Sequence, residues 1–573
     1  MPQQTNKINF VQRLNKAILA CRRLKKVTDD KNAKMLRAYA SGYYQKGLTQ
    51  DPHPINLIDR AVSIWLPFLV GGLPKIVVRP KINLQLKPFA YTFQLALNHW
   101  LKAMKFAQRT LQPAVLNSLF GMGIVKTGTC HADIKRLAGY LTVEGRPYAE
   151  VVDEQNYVFD ITAKDREQYE FEGDEYILPT EEAKEEYPKF ADKITPDFKL
   201  YGEDHPKTVV NPDRISYNEL HDYTRFIDLW LPREKVIITI LPPEKGFNKI
   251  IKTIPYDGPE SGPYDCLGYK YMRGSTLPIP PIYGLMELDA AINTLFVKAR
   301  NQAERLKKVG VYEGGSEQDA MVAKEAKDGD MLGLSNAQSV KELTLGGVVP
   351  ELYDFLAFTL AQFSEQGGNL FTTGGLRTAA RTLGQEQLLM ANASKTLDMM
   401  SQTVHYFASS IAEKLAYEMW QNPTIQIATI KNVAGEEIAS IYNQLQQEGE
   451  FTDYYLDIEL FSMQRLNPEA RFQRMMQLLT GWILPTMQVA TLQGQTLNIR
   501  AITQELATYM DVNTDSWFLP SVPTPVSMNP YQQMGLGMRS SDQRFGASEA
   551  DNLNNKLAAE TARLGKTTKE ISL

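Results

Sequence analysis

The stretch 281–420 constrains the chain most. It carries three long stripes of apolar residues at helical spacing, separated only by a short insert and a glycine-rich loop. In 281–309 one such stripe is Ile282, Leu285, Leu288, Ile292, Leu295, Ala299, Ala303 and Leu306. Steps of three and four put them on one face of a helix. Glu287 and Asp289 come early, and Lys298, Arg300, Arg305, Lys307 and Lys308 come late, an order that suits the helix dipole. Pro280 and Pro281 stand at the start, where proline is tolerated. At 1.5 Å per residue such a helix is roughly 40 Å long.

A second helix is expected over 349–368, with Leu352, Phe355, Leu356, Leu360 and Phe363 as its stripe and Gly367-Gly368 as its end. A loop over 369–383 follows, with Gly374 and Gly375 inside it. A third helix then spans 384–422. Its stripe is Leu397, Met400, Val404, Phe407, Ile411, Leu415 and Met419, and Pro423 stops it. Between the first two helices, 310–348 reads as a small αβ insert: a strand and turn at 310–315, a short helix at 316–327 capped by Ser316, and short strands at 330–334 and 340–345. So few strands are not stable alone and would pair with neighbouring copies.

This order of elements resembles the portal proteins of tailed double-stranded DNA bacteriophages. In that family two stem helices flank a small clip, and a tunnel loop joins the second stem helix to a long wing helix. The segment Arg381-Thr-Leu-Gly-Gln-Glu386, followed by Leu388, Leu389 and Met390, is similar to the basic-Thr-small-x-acidic opening of that long helix. Gly384 departs from the Ala or Thr more often found nearby. The resemblance covers roughly 50–520 and implies an α+β, mainly helical ring subunit with wing, stem, clip and crown. It divides the chain into an N-terminal helical arm (1–50), wing (51–280), first stem helix (281–309), clip (310–348), second stem helix (349–368), tunnel loop (369–383), long wing helix (384–422), upper wing and crown (423–520) and flexible tail (521–573).

What the resemblance implies about function is specific. Copies would join head to tail into a closed ring of about twelve at one capsid vertex. Double-stranded DNA would enter and leave through the bore without sequence preference. Asn369, Thr372, Thr373, Arg377, Thr378 and Arg381 would face that DNA, and the basic stem end, Lys298, Arg300, Arg305, Lys307 and Lys308, would lie near the clip. The partners implied are the terminase large subunit, head–tail adaptor and tail proteins, the major capsid protein and scaffold. The place implied is the virion, after assembly in the host cytoplasm. No cofactor, metal or membrane is implied, nor any enzymatic activity, since a separate motor would hydrolyse ATP.

Composition agrees with a folded protein and limits its partners. The chain has 573 residues, 43% hydrophobic and 22% charged, enough for several domains or one elaborated one. Its net charge is −4, without the basic excess of proteins that grip phosphates. A conduit for moving DNA needs that property, because tight phosphate binding would act as a brake. Three scattered cysteines, Cys21, Cys130 and Cys266, argue against a disulfide framework. The polar, basic N-terminus has no signal-peptide core. The apolar run 61–73 falls short of the ~20 residues that span a bilayer, is interrupted by Pro67, and reads as a buried helix and turn.

The flanking regions give softer expectations. Residues 1–50 read as a basic helix, either a solvated arm or one that wraps a neighbour. A helix is expected over 87–120, interrupted by Pro113, and strands at 75–80, 123–129, 148–152, 157–161, 227–231 and 235–241. The acidic tract Asp165, Glu167, Glu170, Glu172, Asp174, Glu175, Glu181, Glu182, Glu185 and Glu186 reads as a solvated face, with repulsion of DNA or a neighbour as its functional alternative. Strands at 424–430 and 454–461 are expected to flank a helix at 435–447, with a further helix at 468–484.

Few residues suggest chemistry. Gly565-Lys-Thr-Thr lacks the first glycine of a phosphate loop, since position 560 is Glu560, and no strand precedes it. Cys130, His131 and Asp133 have no second cluster at metal-ligand spacing. Asp153, Glu154 and Asp160 stand at a strand pair, as a two-metal nuclease or hydrolase would use them. That enzyme is the rival to the ring, and another virion structural protein such as an adaptor is a third possibility.

Overall fold

The computed structural model describes residues 2–41, 53–129, 134–137, 140–143, 146–197, 222–314, 317–326, 340–345, 347, 349–373, 383–422, 427–433, 436–459, 463, 476–483 and 485–486. All lie in one unit, Met1–Gln495. The architecture is mixed α+β with helix predominant. Helices α1 (Pro2–Ala40), α2 (Leu57–Leu69), α3 (Lys87–Ala103) and α4 (Gln112–Phe120) come first, with strand β1 (Ile76–Pro80) among them. Strands β2 (Gly123–Thr129), β3 (Ile134–Leu137), β4 (Tyr140–Val143), β5 (Pro147–Val152), β6 (Tyr157–Phe159) and β7 (Glu172–Pro179) follow. After α5 (Thr180–Glu186) come β8 (Tyr223–Leu231), β9 (Val236–Ile240), β10 (Lys252–Pro255) and β11 (Tyr264–Leu267). The remainder is α6 (Met286–Glu304), β12 (Lys307–Tyr312), α7 (Glu317–Glu325), β13 (Val340–Leu345), α8 (Pro350–Gln366), α9 (Leu370–Thr373), α10 (Leu383–Gln421), β14 (Ile427–Val433), β15 (Glu436–Tyr442) and β16 (Tyr454–Ile458).

Two sheets organise the β-rich part. The larger has the antiparallel order β10-β9-β8-β7-β6, the smaller β11-β2-β5. Side chains alternate across the larger sheet. One face presents Val158, Ile227, Leu229, Ile238 and Ile240 to Leu14 and Ile18 of α1. The opposite face presents Phe226 to Ala183 of α5, with Leu241 just beyond β9 in the same cluster. Farther along, Tyr157, Phe159 and Trp230 of that face join a cluster with Ile124 and Tyr264 of the smaller sheet.

The two sheets are also joined by charge. Lys126 Nζ on β2 lies 2.6 Å from Asp174 Oδ1 on β7 and 3.5 Å from Asp228 Oδ2 on β8. Tyr264 Oη also donates to Asp174, and Thr239 Oγ1 donates to Asp228. Burial opposes the Lys126 charge, but Asp174 and Asp228 beside it hold its pKa well above the ordinary lysine value. Burial pushes Asp228 up, offset in part by Lys126.

This arrangement corrects the acidic-tract reading. Glu172 and Asp174 are buried, and Glu175 is half-buried with Arg22 and Arg225 as partners. Arg166 forks onto Glu172 through two bonds of 3.0 and 2.9 Å. Glu181, Glu182, Glu185 and Glu186 of the same tract are exposed on α5. Arg166 lies within the tract itself, while Arg22, Lys126 and Arg225 come from α1, β2 and β8, so a run of acids in the sequence does not show which ones go inside.

Helix α1 is neither a free arm nor a solvated one within the described residues. Val11, Leu14, Ile18, Cys21, Met35 and Ala38 are buried against the rest of the chain. Lys25 is only 2% exposed and donates to the carbonyls of Glu154 and, at 2.7 Å, Tyr157. Burial lowers its pKa. Glu154 Oε2 accepts from Asn32 Nδ2 at 3.0 Å and from the Met122 backbone at 3.1 Å. Burial pushes Glu154 up to about 7, against the pull of Lys25.

Two further expectations are corrected. The helix over 87–120 breaks at Met104–Phe106, where Lys105 has φ +55°, and not at Pro113, which occupies the first turn of α4. The described residues of segment 435–447 form no α-helix, only strand β15 and a 3₁₀ turn at Gln444–Gln446. Its first part is β15, paired with β14 from Val433↔Glu436 to Ile427↔Tyr442. Tyr442 then stacks on Phe93 with ring centroids 5.3 Å apart, and the aromatic packing with Phe89 and Trp420 outweighs helix propensity. The expected helix at 468–484 lies largely outside the described residues.

Candidate functional site

The helix–insert–helix segment is built from a helix pair. A short 3₁₀ turn over Pro281–Leu285 leads into α6, and α8 returns beside it. The Val349 backbone N–H donates to Gln302 Oε1 at 3.4 Å, so the start of α8 meets the end of α6. At the other end a Cβ on Gly284 would lie 3.2 Å from Gln366 Nε2. The two helices are therefore antiparallel. Their inner halves bury Ile282, Leu285 and Ile292 with Leu356 and Phe363 in the main core.

The predicted stripe on α6 does not stay buried. Leu288, Leu295 and Ala299 are half-buried, while Ala303 and Leu306 are exposed. On α8, Phe355 and Phe358 are 56% and 59% exposed and stack on each other with centroids 6.4 Å apart. Among the described residues, the outer half of the pair thus carries apolar surface that nothing covers.

Helix α6 also ends earlier than its sequence pattern suggests. Arg305 caps it, and Lys307 and Lys308 belong to β12, in register with Leu345 and Thr344 of β13. The basic end is thereby divided between helix and strand. Lys298, Arg305 and Lys307 are exposed, and Arg300 lies 3.7 Å from Glu304. The insert between the helices contains the β12–β13 pair and α7. Its expected strand at 330–334 and the Ser316 cap lie outside the described residues.

The base of α6 is strapped to the segment before α2. His53 Nδ1 and Asp289 Oδ2 are 3.0 Å apart. Asn293 Oδ1 accepts from the Ile55 backbone at 3.0 Å, and Asn293 Nδ2 donates to the carbonyls of Ile55 and Asp289.

The root of the 369–383 loop is fixed by backbone geometry. Gly367 caps α8, Gly368 has φ +83° and Asn369 has φ +56°. Glycine and asparagine are the residues that tolerate this left-handed region. A Cβ on Gly367 would sit 2.4 Å from Leu370 Cδ1, so the glycine makes room for Leu370 to enter the core. Trp65 Nε1 of α2 donates to the Gly367 carbonyl at 3.2 Å, and the Phe371 backbone donates to Ser364 Oγ at 3.2 Å. The exposed Arg60 places its guanidinium 5.2 Å from the Phe371 ring centroid.

Of the predicted loop residues, Asn369 sits at this root and Thr372 and Thr373 fall in α9. Arg377, Thr378 and Arg381 lie outside the described residues. Sequence reading missed Arg60. It lies in a different helix, and its only local signal is an arginine preceding the apolar run of α2. Past the loop, all seven stripe residues of α10 from Leu397 to Met419 are buried.

Two of the three carboxylates of the enzyme reading make hydrogen bonds within the fold. Asp160 Oδ1 accepts from the Thr162 backbone at 2.9 Å and its hydroxyl at 2.7 Å, and Oδ2 accepts from the Glu170 backbone. Glu154 secures α1, and Asp153 is exposed at the start of a 3₁₀ turn. Among the described residues no group of three or more His, Cys, Asp and Glu side chains is placed to hold a metal. Cys130, His131, Asp133 and the 565–568 segment lie outside them. Among the described residues no helix is long and apolar enough to cross a membrane. No protein-family model matches this chain, and no curated protein matches it.

Proposed function

We propose that this protein is a portal subunit, one copy of a closed ring through which double-stranded DNA is packaged and later ejected. One observation carries the reading. An antiparallel helix pair brackets an α/β insert and continues, through two left-handed residues at Gly368 and Asn369, into the short helix α9, with the 39-residue helix α10 starting at Leu383. The uncovered apolar residues on the outer half of the pair favour it further, because neighbouring copies would bury them. The pair would act as the stem and the β12–α7–β13 insert as the clip. The loop after Asn369 would be the element nearest the DNA, with Arg60 at its root joining Arg377 and Arg381 as phosphate contacts. The clip would dock the terminase motor and then head–tail adaptors, the motor supplying ATP hydrolysis.

Negative-stain imaging of the purified full chain tests this. The expected result is a closed ring with a central opening, of about twelve subunits. A monodisperse monomer at micromolar concentration overturns it.

A further inference from the structure

The five-stranded sheet β10-β9-β8-β7-β6 separates two surfaces of opposite charge. On one side lies α1. Its inner face packs on Ile227, Leu229, Ile238 and Ile240, and its outer face exposes Arg13, Lys16, Arg23, Lys26, Lys34 and Arg37. Among the described residues none of these six has an ion-pair partner. On the other side lies α5, Thr180–Glu186, itself acidic with four glutamates against one lysine, followed by a 3₁₀ turn that exposes Lys189, Asp192 and Lys193. The helix is anchored through Ala183 to Phe226 and Leu241. Glu181, Glu182 and Glu185 are exposed and, among the described residues, without ion-pair partners, while Glu186 lies 3.3 Å from Lys252.

We propose that the outer face of α1 in one copy docks on the α5 face of the next, head to tail. This rests on the ring reading and names the surfaces that close the ring. Consecutive residues Phe226 and Ile227 point to opposite sides of the sheet. The basic and acidic surfaces therefore cannot meet within one molecule, but they can meet between copies related by rotation. A heterologous contact needs two different, complementary patches on each subunit, and this sheet carries them on opposite faces. A nucleic-acid ligand would account for the basic ridge alone and leave the acidic face without a role. Exposed pairs of this kind set orientation and partner choice more than affinity. Raised salt should therefore weaken the docking.

The test uses the full-length chain with charges reversed on either surface: Lys16→Glu, Lys26→Glu, Lys34→Glu in one variant, and Glu181→Lys, Glu182→Lys, Glu185→Lys in the other. Circular dichroism melts establish that each folds, and light scattering gives particle mass. Each variant alone should lose the large particle, as like charges now face each other. Mixing the two variants, or combining all six substitutions in one chain, should restore the wild-type mass. A wild-type ring that both variants form unchanged overturns the docking and leaves the ring reading intact. Failure of the six-fold chain to assemble also overturns it. If the basic-ridge variant assembles normally but loses retention of double-stranded DNA, nucleic acid is the partner and the inference falls. A wild-type chain that never leaves the monomer mass overturns both readings.

Discussion

The indole of Trp65 is bonded to the Gly367 carbonyl, 3.2 Å away, so that α2 holds the end of α8 in place. Carbonyls in the last turn of a helix lack intrahelical partners, and this one is buried against the tryptophan. Trp65→Phe keeps an aromatic ring but removes the donor. The unfolding free energy should drop by about 1–3 kcal/mol, read from urea denaturation. An unchanged midpoint with an unchanged slope would contradict the assignment.

Lys126→Met should cost more. It leaves the buried Asp174 and the half-buried Asp228 with no cation beside them, a change worth about 3–5 kcal/mol. In the wild type the lysine's raised pKa gives stability that is fully present below the ordinary lysine range and is lost as pH rises through the folded-state value. The variant should instead regain stability on acidification, as Asp228, already pushed up by burial, takes up a proton. Chemical denaturation of both proteins at pH 4.5 and pH 7.5 makes the comparison, and parallel behaviour would refute it.

Glu154 should confer a different pH dependence. Burial raises it from the ordinary 4.5 to about 7. Across that window the folded chain keeps a proton that the unfolded chain has released, so this group lowers stability as pH rises. Above the window the cost is on the order of 3 kcal/mol. Glu154→Gln retains an oxygen that accepts from Asn32 and Met122 but cannot ionise. Its melting temperature should exceed the wild type at pH 8 and match it near pH 4. A variant less stable at pH 8 would show that the Lys25–Glu154 attraction outweighs burial.

Leu295→Pro falls in the interior of α6. It removes a helix hydrogen bond and should cost ~3 kcal/mol or more, seen as lost helical ellipticity and a lower melting temperature. An unperturbed melt and particle mass would contradict the place given to this helix.

Deleting 374–381 leaves the Gly367 cap, the buried Leu370 and the Arg60–Phe371 contact in place. The proposed function predicts an assembled ring of normal mass that packages or retains less DNA. Loss of assembly would count against the loop's assigned place.

The long-period features were legible before any coordinates. The α10 stripe is buried throughout, and β2 spans 123–129 as expected. Features that depend on distant neighbours were not. Leu306 and Phe355 fit helical stripes yet are exposed, because a stripe reveals amphipathicity and not what covers it. Asp174 read as solvated because Lys126 reaches it only through the fold, and Glu172 because nothing in the tract shows that Arg166, six residues away, forks onto it. Lys105 carries the helix break without the usual glycine or proline signal. Of the predicted loop, the Gly-Gly-Asn root is as expected, Leu370–Thr373 form α9 instead, and 374–382 lie outside the described residues; Arg60 reaches the root from another helix.

Gly121 leaves the space into which Glu154 reaches. A methyl at position 121 would lie 1.9 Å from Glu154 Oε2. Any larger residue there must displace that carboxylate and, with it, the acceptor for Asn32 of α1. Positions 32, 121 and 154 are therefore expected to vary together or not at all among descendants of a common ancestor. Such a covarying trio would offer a way to find kin whose overall sequence has drifted beyond recognition.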